Sequence, residues 1–515
     1  MSTPKPVPVL TDLSEVEDHV VAAALRGVAV VCGDLDVDEL AASEDPRHLV
    51  RAELIRELLL GRRGDLDPRG VRVTGARVVG SLGLDHVKAG AGLSLVRCAF
   101  TEPITANDAR LPHLVLSGSL VPRLEAWGLR TESNLHLDGV ITRGNTASAL
   151  INMPDAHVGG GADLSRANIT NSGGTAVEMS GLHTDNNLVM RGATIAGTGH
   201  LGAIRLLSAQ IGDEAILDDA TVTNAAGPAL CADFLRTGGS LVLRKAVLHS
   251  GDSALRLPGA VIKGRLLCAG LTVTGSTGAS LVLSGAQVDQ PLSLPVTAIC
   301  PHPDRPRCDA TGLLHLDGFA FTDLGSADWR QWLHLVRWHT PAYRPQPYQQ
   351  LAAVERAAGH ENNAREILMA QQDDLRRRNP EALGGPAARL AHRLWGWLGG
   401  YGYRTRNTAL ALVTALFLVG ALGFWAGHWV TGPGHHAVER ANGSGTPCST
   451  LEQIGVGIDR GLPLAPAGVR SKCDLDTTTT AGQWFTAAIW LLQACVWVLA
   501  TLAIAGYTGL IRKPA

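Results

Sequence analysis

The chain has 515 residues, with 45 Lys and Arg against 47 Asp and Glu, which gives a formal net charge of −2. This length suffices for several domains, and the near balance of charge excludes the basic footprint of a general nucleic-acid binder. The first ten residues contain no apolar run of signal-peptide length, so we expect the bulk of the chain to lie in the cytosol.

Residues 1–65 are predicted to form a helical N-terminal cap. In the first helix Ser14 is a candidate N-cap, and Glu17 follows at the spacing of a capping box. A second helix is predicted from about His48, where leucines recur on one helical face. A solenoid needs an atypical terminal unit that covers the open end of its core, and these helices fit that role.

The centre of the chain, residues 134–294, carries a pattern that recurs about every 26 residues. Apolar and polar residues alternate within each short apolar piece, which is typical of strands with one buried face. Glycine-rich corners such as 238–239 separate the pieces, and a positive φ is expected there. We therefore predict a mainly β chain, with a parallel β-helix of right-handed winding over residues 66–298. The three apolar columns are Leu137, Leu164, Met190, Leu217, Leu243, Cys268 and Leu294; Leu150, Val177, Ile204, Leu230, Leu255 and Leu281; and Ile169, Ile195, Val222, Leu248 and Val273.

One outward column of this β-helix is a candidate interaction surface. If the columns above point inward, the alternation places a neighbouring set of residues outward, and four consecutive members of that set are apolar. A contiguous exposed apolar patch marks a contact site, so we expect it to be covered by the C-terminal helices or by a partner. This candidate interaction stripe consists of Val189, Ile216, Val242 and Leu267.

The charged outward residues are predicted to pair with one another. Beside the stripe, Arg191, Asp218 and Arg244 alternate in sign, and a second face carries Glu178 and Arg205, followed by Cys231 and Arg256. Such alternation favours a self-pairing, solvated face. An acid/base cleft for polysaccharide would instead gather unpaired carboxylates.

Residues 299–325 are predicted to be a Pro-rich linker. Cys300, His302 and Cys308 could be metal ligands, but a fourth ligand is not evident and the spacing differs from that of zinc knuckles, which favours a plain loop. Residues 326–380 are predicted to form a helical hairpin that resembles one tetratricopeptide unit. One such unit cannot stand alone, so it must pack on the end of the β-helix or on a partner.

The C-terminal part of the chain is predicted to be anchored in the membrane. Residues 386–400 form a basic amphipathic helix suited to the membrane interface, and residues 408–430 and 484–511 are two uncharged apolar runs long enough to span a bilayer. Basic residues flank both runs on the sides nearer the chain ends, which favours cytoplasmic N- and C-termini. Residues 431–483 then form an extracytoplasmic loop.

This loop contains Cys448 and Cys473, which can pair outside the reducing cytosol, so we predict a disulfide between them. The other cysteines are expected to be free thiols. They are Cys32, Cys98, Cys231, Cys268, Cys300, Cys308 and Cys495.

The sequence contains no dinucleotide-binding fingerprint, Walker loop, nucleophile elbow or HExxH zinc motif. We therefore predict no catalytic residue, no cofactor-binding residue and no metal ligand.

Three stretches of the sequence carry a resemblance to a known family: residues 51–61 leading into 67–72, the repeated coils, and residues 343–360 followed by Trp395 and residues 401–403. Together they resemble a family of actinobacterial, Streptomyces-type membrane proteins often named membrane-associated oxidoreductases, or called pentapeptide-repeat-like. Residues 162–166 match one pentapeptide unit, although the longer repeat departs from a five-residue period. The family name implies redox chemistry, yet no catalytic or cofactor motif accompanies the resemblance in this sequence.

We expect a membrane-anchored cytoplasmic β-helix scaffold or interaction protein in the plasma membrane. Its predicted partners are membrane lipid and either another protein or further copies of the chain, without nucleic acid and without a predicted cofactor. Two alternatives stay open: a membrane-associated oxidoreductase, by resemblance alone, and a carbohydrate-active β-helix.

Overall fold

The computed structural model describes residues 9–275, 278–300, 313–325, 327–403, 405–441, 443–462 and 468–507. The chain divides into two compact units, Met1–Asn363 and Ala364–Ala515. The first unit contains the predicted parallel β-solenoid, and the second contains the two predicted apolar helices.

Most full turns of the solenoid contribute one short strand to each of four faces, and strands of successive turns pair in parallel. In the turn that contains Leu114–Val115, an isolated bridge at Leu120 takes the place of the strand on face two. Face one consists of Val30–Val31, Val71–Thr74, Leu93–Val96, Leu114–Val115, Leu135–His136, Ala162–Asp163, Leu188–Val189, Ala215–Ile216, Leu241–Val242 and Leu266–Leu267. Face two consists of Leu49–Arg51, Arg77–Val79 and Ala99–Phe100, followed by Ile141–Gly144, Asn168–Asn171, Thr194–Gly197, Thr221–Asn224, Val247–Ser250 and Thr272–Thr274. Face three consists of Leu82–Gly83, Ile104–Thr105, Leu124–Glu125, Ile151–Asn152, Val177–Glu178, Ile204–Arg205, Leu230–Cys231, Leu255–Arg256, Ala279–Val282 and Leu313–His315. Face four consists of Arg110–Leu111, Arg130–Thr131, His157–Val158, His183–Thr184, Gln210–Ile211, Arg236–Thr237, Val261–Ile262, Gln287–Val288 and Ala320–Phe321.

The predicted apolar columns form the core, with one shift of register. The columns that begin at Leu137 and Ile169 lie inside, except that Val273 at the end of the second is half-buried, and the second column pairs turn by turn as predicted. In the remaining column Ile151, not Leu150, pairs with Val177, although both side chains of that turn are buried. Two adjacent apolar residues made the sequence ambiguous at this turn, because either could continue the column.

Close packing between turns explains why a glycine occupies position 238, where the sequence predicted a positive φ. A Cβ atom on Gly238 would lie 2.0 Å from the carbonyl oxygen of Gly212 in the preceding turn, whereas its φ is ordinary. Positive φ angles occur instead at a corner after face one, at Arg166 and Asp219 among others. The pair at 238–239 is therefore small because of contacts between turns.

The N-terminal cap contains three helices and two strands that continue the solenoid sheets. The helices are α1 (Glu15–Arg26), α2 (Val37–Ala42) and α3 (Ala52–Leu59). The predicted capping box between Ser14 and Glu17 is confirmed. The strand Val30–Val31 pairs with Val71–Thr74, so the cap extends face one by hydrogen bonding as well as by packing.

Glu17 ties α1 to the strand before α3. Its carboxylate is 3% exposed and accepts hydrogen bonds from the backbone and the guanidinium of Arg51, with Nη2 at 2.6 Å. Burial acts to raise the pKa of Glu17, but the Arg51 guanidinium and the backbone N–H groups of Ser14 and Arg51 outweigh it and lower the pKa.

We expect Glu17→Gln to lower the free energy of unfolding of the cap by about 1.5–3 kcal/mol at neutral pH, because hydrogen bonds to a buried charge are lost. A lowered folded-state pKa means that this stabilisation is present above the ordinary Glu pKa and is lost as the pH falls through the folded-state value. Thermal unfolding from neutral to acid pH tests this, because the difference between Glu17→Gln and wild type should shrink on acidification. The exposed Glu15→Gln is the control, and an equal effect there would contradict the assignment.

The solenoid continues beyond its predicted end at residue 298. Leu313–His315 and Ala320–Phe321, which fall in the predicted linker 299–325, add a further strand to faces three and four. Residues 301–312 lie outside the described residues. Two helices, α4 (Trp329–Trp338) and α5 (Gln346–Ala357), follow, and Trp332 and Tyr348 are almost fully buried.

Helix α5 caps the last strand of face four with glutamine side chains. Gln346 Nε2 donates to the carbonyl oxygen of Phe319 at 3.1 Å, and its Oε1 accepts from the backbone N–H of Gly318. Gln350 Nε2 donates to the carbonyl oxygen of Phe321 at 2.6 Å. These bonds satisfy backbone groups that a terminal strand would otherwise leave open for pairing with another chain.

We expect the double substitution Gln346→Ala and Gln350→Ala to destabilise this end by about 2–4 kcal/mol, because each lost partner leaves a backbone group unpaired. The open strand edge should also promote concentration-dependent association, measured by light scattering during mild heating. Gln349→Ala is the matched control, since Gln349 lies on the same helix and is exposed. An identical loss of stability in the control would show that helix propensity, and not edge capping, is responsible.

The second unit is mainly helical. Helix α6 (Glu361–Arg378) contains the boundary between the units, and it is followed by α7 (Pro386–Gly399), α8 (Thr405–His428), α9 (Thr450–Gly461) and α10 (Thr480–Tyr507). Two of these helices contain segments long and apolar enough to cross a membrane, Arg406–His428 in α8 and Thr480–Ile504 in α10. They pack on each other through small and branched residues that include Val419, Ala426 and Ile489.

Between α8 and α10 lies a small disulfide-bonded β-structure. Its strands are Val430–Gly432, His435–His436, Val438–Arg440, Gly443–Pro447 and Cys473–Leu475. Cys448 and Cys473, the pair expected from the sequence, are joined by a disulfide. Helix α9 packs against α8 at close range, since a Cβ atom on Gly423 would lie 2.4 Å from the carbonyl oxygen of Gln453.

Candidate interaction surface

The candidate interaction stripe lies on the outer side of face one. Val189 pairs with Ile216, Ile216 with Val242, and Val242 with Leu267, in four consecutive turns. The residues immediately before them in the chain are buried and point inward, which fixes the register. Val242 is 3% exposed and the other three are half-buried. Neighbouring turns therefore already shield much of the stripe, and its outer edge is a narrow apolar ridge.

Only part of the predicted charge alternation beside the stripe forms ion pairs. Asp218 is 5% exposed and accepts hydrogen bonds from the backbone N–H and the guanidinium of Arg244, with Nη2 at 2.6 Å. Within the described residues Arg191 forms no ion pair. The stripe is thus bordered by a neutralised pair and by one exposed cation.

Face three pairs its charges across turns. Arg205 contacts Glu178, and Arg256 Nη2 lies 2.9 Å from Asp233 Oδ2. Cys231 lies between these pairs, and burial raises the pKa of its thiol, which makes it a poor nucleophile. This face carries compensated charges and does not present two unpaired carboxylates of the kind that glycoside hydrolysis requires.

Face four carries a column of basic residues that was not predicted. Lys88, Arg110, Arg130, His157 and His183 occupy successive turns and lie directly beside one another in the register. The imidazole rings of the two histidines stack with centroids 4.5 Å apart. A cleft of about 520 Å³ lies over the first four, and Glu132 also lines it. The sequence signal for this column was weak, because the spacing between its members changes from 20 residues between Arg110 and Arg130 to 27 between Arg130 and His157.

The prediction of free thiols is correct for five cysteines and wrong for Cys300. Cys32, Cys98, Cys231, Cys268 and Cys495 are free. Cys300 is disulfide-bonded, so its sulfur is not available as the thiolate ligand considered from the sequence. The other two residues considered as ligands with it, His302 and Cys308, lie outside the described residues.

Two further groupings of metal-type side chains, both on the solenoid, lack a suitable arrangement of free ligand atoms. His157, His183 and Asp185 lie close together, but the two imidazole planes differ by 2°. The lone pairs of stacked parallel rings do not converge on one ion. His136, Asp138 and Asp163 form another group, whose two carboxylates already accept hydrogen bonds from Ser117 and Ser165.

The second unit exposes apolar side chains next to basic ones on α7. Leu390, Leu394 and Trp397 are exposed, the last by 79%, and Arg389 and Arg393 on the same helix are exposed as well. A helix with this composition on its surface suits the boundary between lipid headgroups and acyl chains.

Comparisons with protein-family models, with curated proteins and with solved structures find no match to this chain.

Proposed function

We propose that the chain is a membrane-anchored scaffold whose right-handed β-solenoid presents a fixed surface to a protein partner or to further copies of itself. The solenoid and both chain ends lie on the cytoplasmic side of the plasma membrane, and the disulfide-bonded loop lies outside. The apolar stripe Val189, Ile216, Val242 and Leu267 is the contact surface.

The second unit supports the anchoring part of this proposal. Segments of 23 and 25 residues in α8 and α10 have the length that a bilayer requires. The exposed Trp397 and leucines of α7 precede the first segment, where an interfacial helix would add binding to lipid headgroups. Arg389 and Arg393 would face anionic headgroups, and basic residues on this side of a span favour the cytoplasm.

The observation that carries the scaffold part is the four-turn apolar run on the outside of face one. On face three, by contrast, outward positions carry charged residues that pair across turns, as in Glu178 with Arg205. A regular row of branched aliphatic residues departs from that arrangement. Because the turns fix the spacing of the row at about 4.8 Å, it can match a complementary row of side chains on another protein with little loss of backbone conformational entropy.

Site-specific crosslinking tests this function. A photoreactive amino acid at Ile216 in the full chain, expressed in its native membrane, should yield a discrete adduct after irradiation. The same amino acid at Arg236, an exposed outward residue of face four, is the matched control and should yield little. Mass spectrometry of the adduct then distinguishes a second copy from a different protein.

The absence of any adduct at Ile216 and at each neighbouring stripe position, in membranes that contain the folded chain, would overturn the proposal. The purified chain in mild detergent provides a second readout through its absorbance spectrum. A bound flavin or nicotinamide would favour the oxidoreductase alternative over the scaffold.

A further inference from the structure

The basic column of face four lacks the ion pairs that join charged residues of neighbouring turns on face three. Lys88, Arg110 and Arg130 are exposed, and their backbones pair in register on three successive turns. Like charges at adjacent positions of neighbouring strands repel and destabilise a sheet. In the part of the chain that the structure describes, none of the three forms an ion pair.

The nearby acidic groups do not neutralise this column. Asp108 lies 3.6 Å from His86, and Asp185 lies 3.2 Å from His183, so both interact with imidazoles at its margins. Glu132 is the acidic residue that lines the cleft, where it faces three permanent cations. The cleft therefore has an excess of positive charge before either of its neighbouring histidines is protonated.

The shape of the cleft limits what can bind. Its volume of about 520 Å³ lies in the range of small-molecule sites. Gly90 and Gly159 also line the cleft, and a Cβ atom on Gly90 would meet nothing within 4 Å, which leaves room there for a ligand close to the main chain. From Lys88 to Arg130 the column spans two strand spacings, about 10 Å, which suits a chain of two or three phosphate groups.

We propose that this cleft binds a small anion that carries several phosphate groups, with Arg110 and Arg130 as its principal ligands. Guanidinium groups bind phosphate oxygens in a bidentate manner, and Lys88 adds a third charge at one end. His157 lies at the other end and can donate a hydrogen bond from its ring. This site does not depend on the scaffold function, since it lies on a different face from the apolar stripe.

Nucleic acid fits this surface less well than a small anion. Stable binding of a duplex draws on six to ten phosphate contacts, whereas the column offers three permanent cations and two histidines. Soluble oligophosphates and phosphorylated lipid headgroups both carry several phosphate groups, so either could supply the ligand. One probe for each source distinguishes between them.

Titration calorimetry on the full chain in detergent micelles tests the site, with sodium tripolyphosphate and inositol trisphosphate as probes at one fixed salt concentration. We expect saturable binding of at least one probe. Tripolyphosphate binding points to a soluble oligophosphate, and binding of inositol trisphosphate alone points to a lipid headgroup. Arg130→Gln should weaken the affinity at least about tenfold, because a charged hydrogen-bond donor is lost. Glu132→Gln should strengthen it, because a repulsive carboxylate is removed.

Arg236→Gln is the matched control, since Arg236 occupies the same outward column two turns beyond His183 and outside the cleft. The thermal midpoint of ligand-free Arg130→Gln should equal or exceed that of the wild type, because repulsion within the column is relieved. Weak binding in this variant then reports the site and not misfolding. Equal affinity in wild type, Arg130→Gln and Arg236→Gln, an absence of binding to both probes, or tighter binding to duplex DNA than to either would overturn the proposal.

Discussion

Replacing Leu217 by Asp is expected to unfold the central turns of the solenoid, with a loss of more than about 4 kcal/mol. Leu217 is fully buried in a core column between Met190 and Leu243 of the neighbouring turns. A carboxylate there would have apolar neighbours on both sides and no cation within the core. Each turn of a solenoid is stabilised mainly by contacts with the turns directly before and after it. Local unfolding at this turn should therefore extend to the adjacent turns. Limited proteolysis of the full chain in detergent should cut within residues 188–243 in the variant.

Ile216→Asp is the control one residue away. Its side chain lies on the outer side of face one, so the loss of apolar contacts with Val189 and Val242 should cost about 1 kcal/mol or less. This variant should keep the protease resistance of the wild type and lose the crosslinked adduct expected from a photoreactive amino acid at the neighbouring stripe position Val189. If Ile216→Asp unfolds as readily as Leu217→Asp, the stripe is part of the core and not a contact surface.

The side chains around Leu217 alternate between the core and the outer surface, and this alternation explains why most of the fold was predictable. A strand has a period of two, and a displacement by one residue exposes every buried side chain, so regular aliphatic residues specify the register strongly. At Leu150 and Ile151 two apolar residues are adjacent, and the sequence could not decide between them. The final turn at Leu313–His315 was not predicted because a Pro-rich stretch separates it from the regular repeat.

The binding surfaces were less predictable for a physical reason. An outward residue is not constrained by packing, so its role depends on which residues lie beside it in adjacent turns. The stripe could be recognised because Ile216 and its neighbours share the apolar character of the core. The basic column requires the register of a fourth face, where Arg110 and Arg130 are 20 residues apart but Arg130 and His157 are 27 apart. The turns lengthen along the solenoid, so the basic residues do not recur at one fixed interval. A search of the sequence for a regular repeat therefore does not detect the column.

Removal of the Cys448–Cys473 disulfide is expected to destabilise the loop between α8 and α10 by about 3.5 kcal/mol, because the bond closes a loop of 25 residues in the unfolded chain. Cys448 directly precedes the capping box of α9, and Cys473 begins a strand paired with Val438–Arg440. The bond therefore fixes the start of the helix against the sheet. Cys448→Ser and Cys473→Ser, alone and together, should each lower the thermal midpoint by a similar amount. Cys495→Ser, which removes a free thiol from α10, should not.

The same disulfide reports the orientation of the chain. With the loop outside, a membrane-impermeant reductant followed by a membrane-impermeant maleimide should label Cys448 and Cys473 in intact cells. A cysteine introduced at the exposed Lys263 of the solenoid should stay unlabelled until the cells are opened. The disulfide at Cys300 gives this labelling experiment a second purpose. Disulfides persist in oxidising compartments and are rare in the cytosol, so a disulfide in the solenoid unit favours the opposite orientation. Labelling of Lys263→Cys from outside would place the solenoid on the oxidising side. Cys300 would then be oxidised for the same reason as Cys448, and the cytoplasmic scaffold would be excluded.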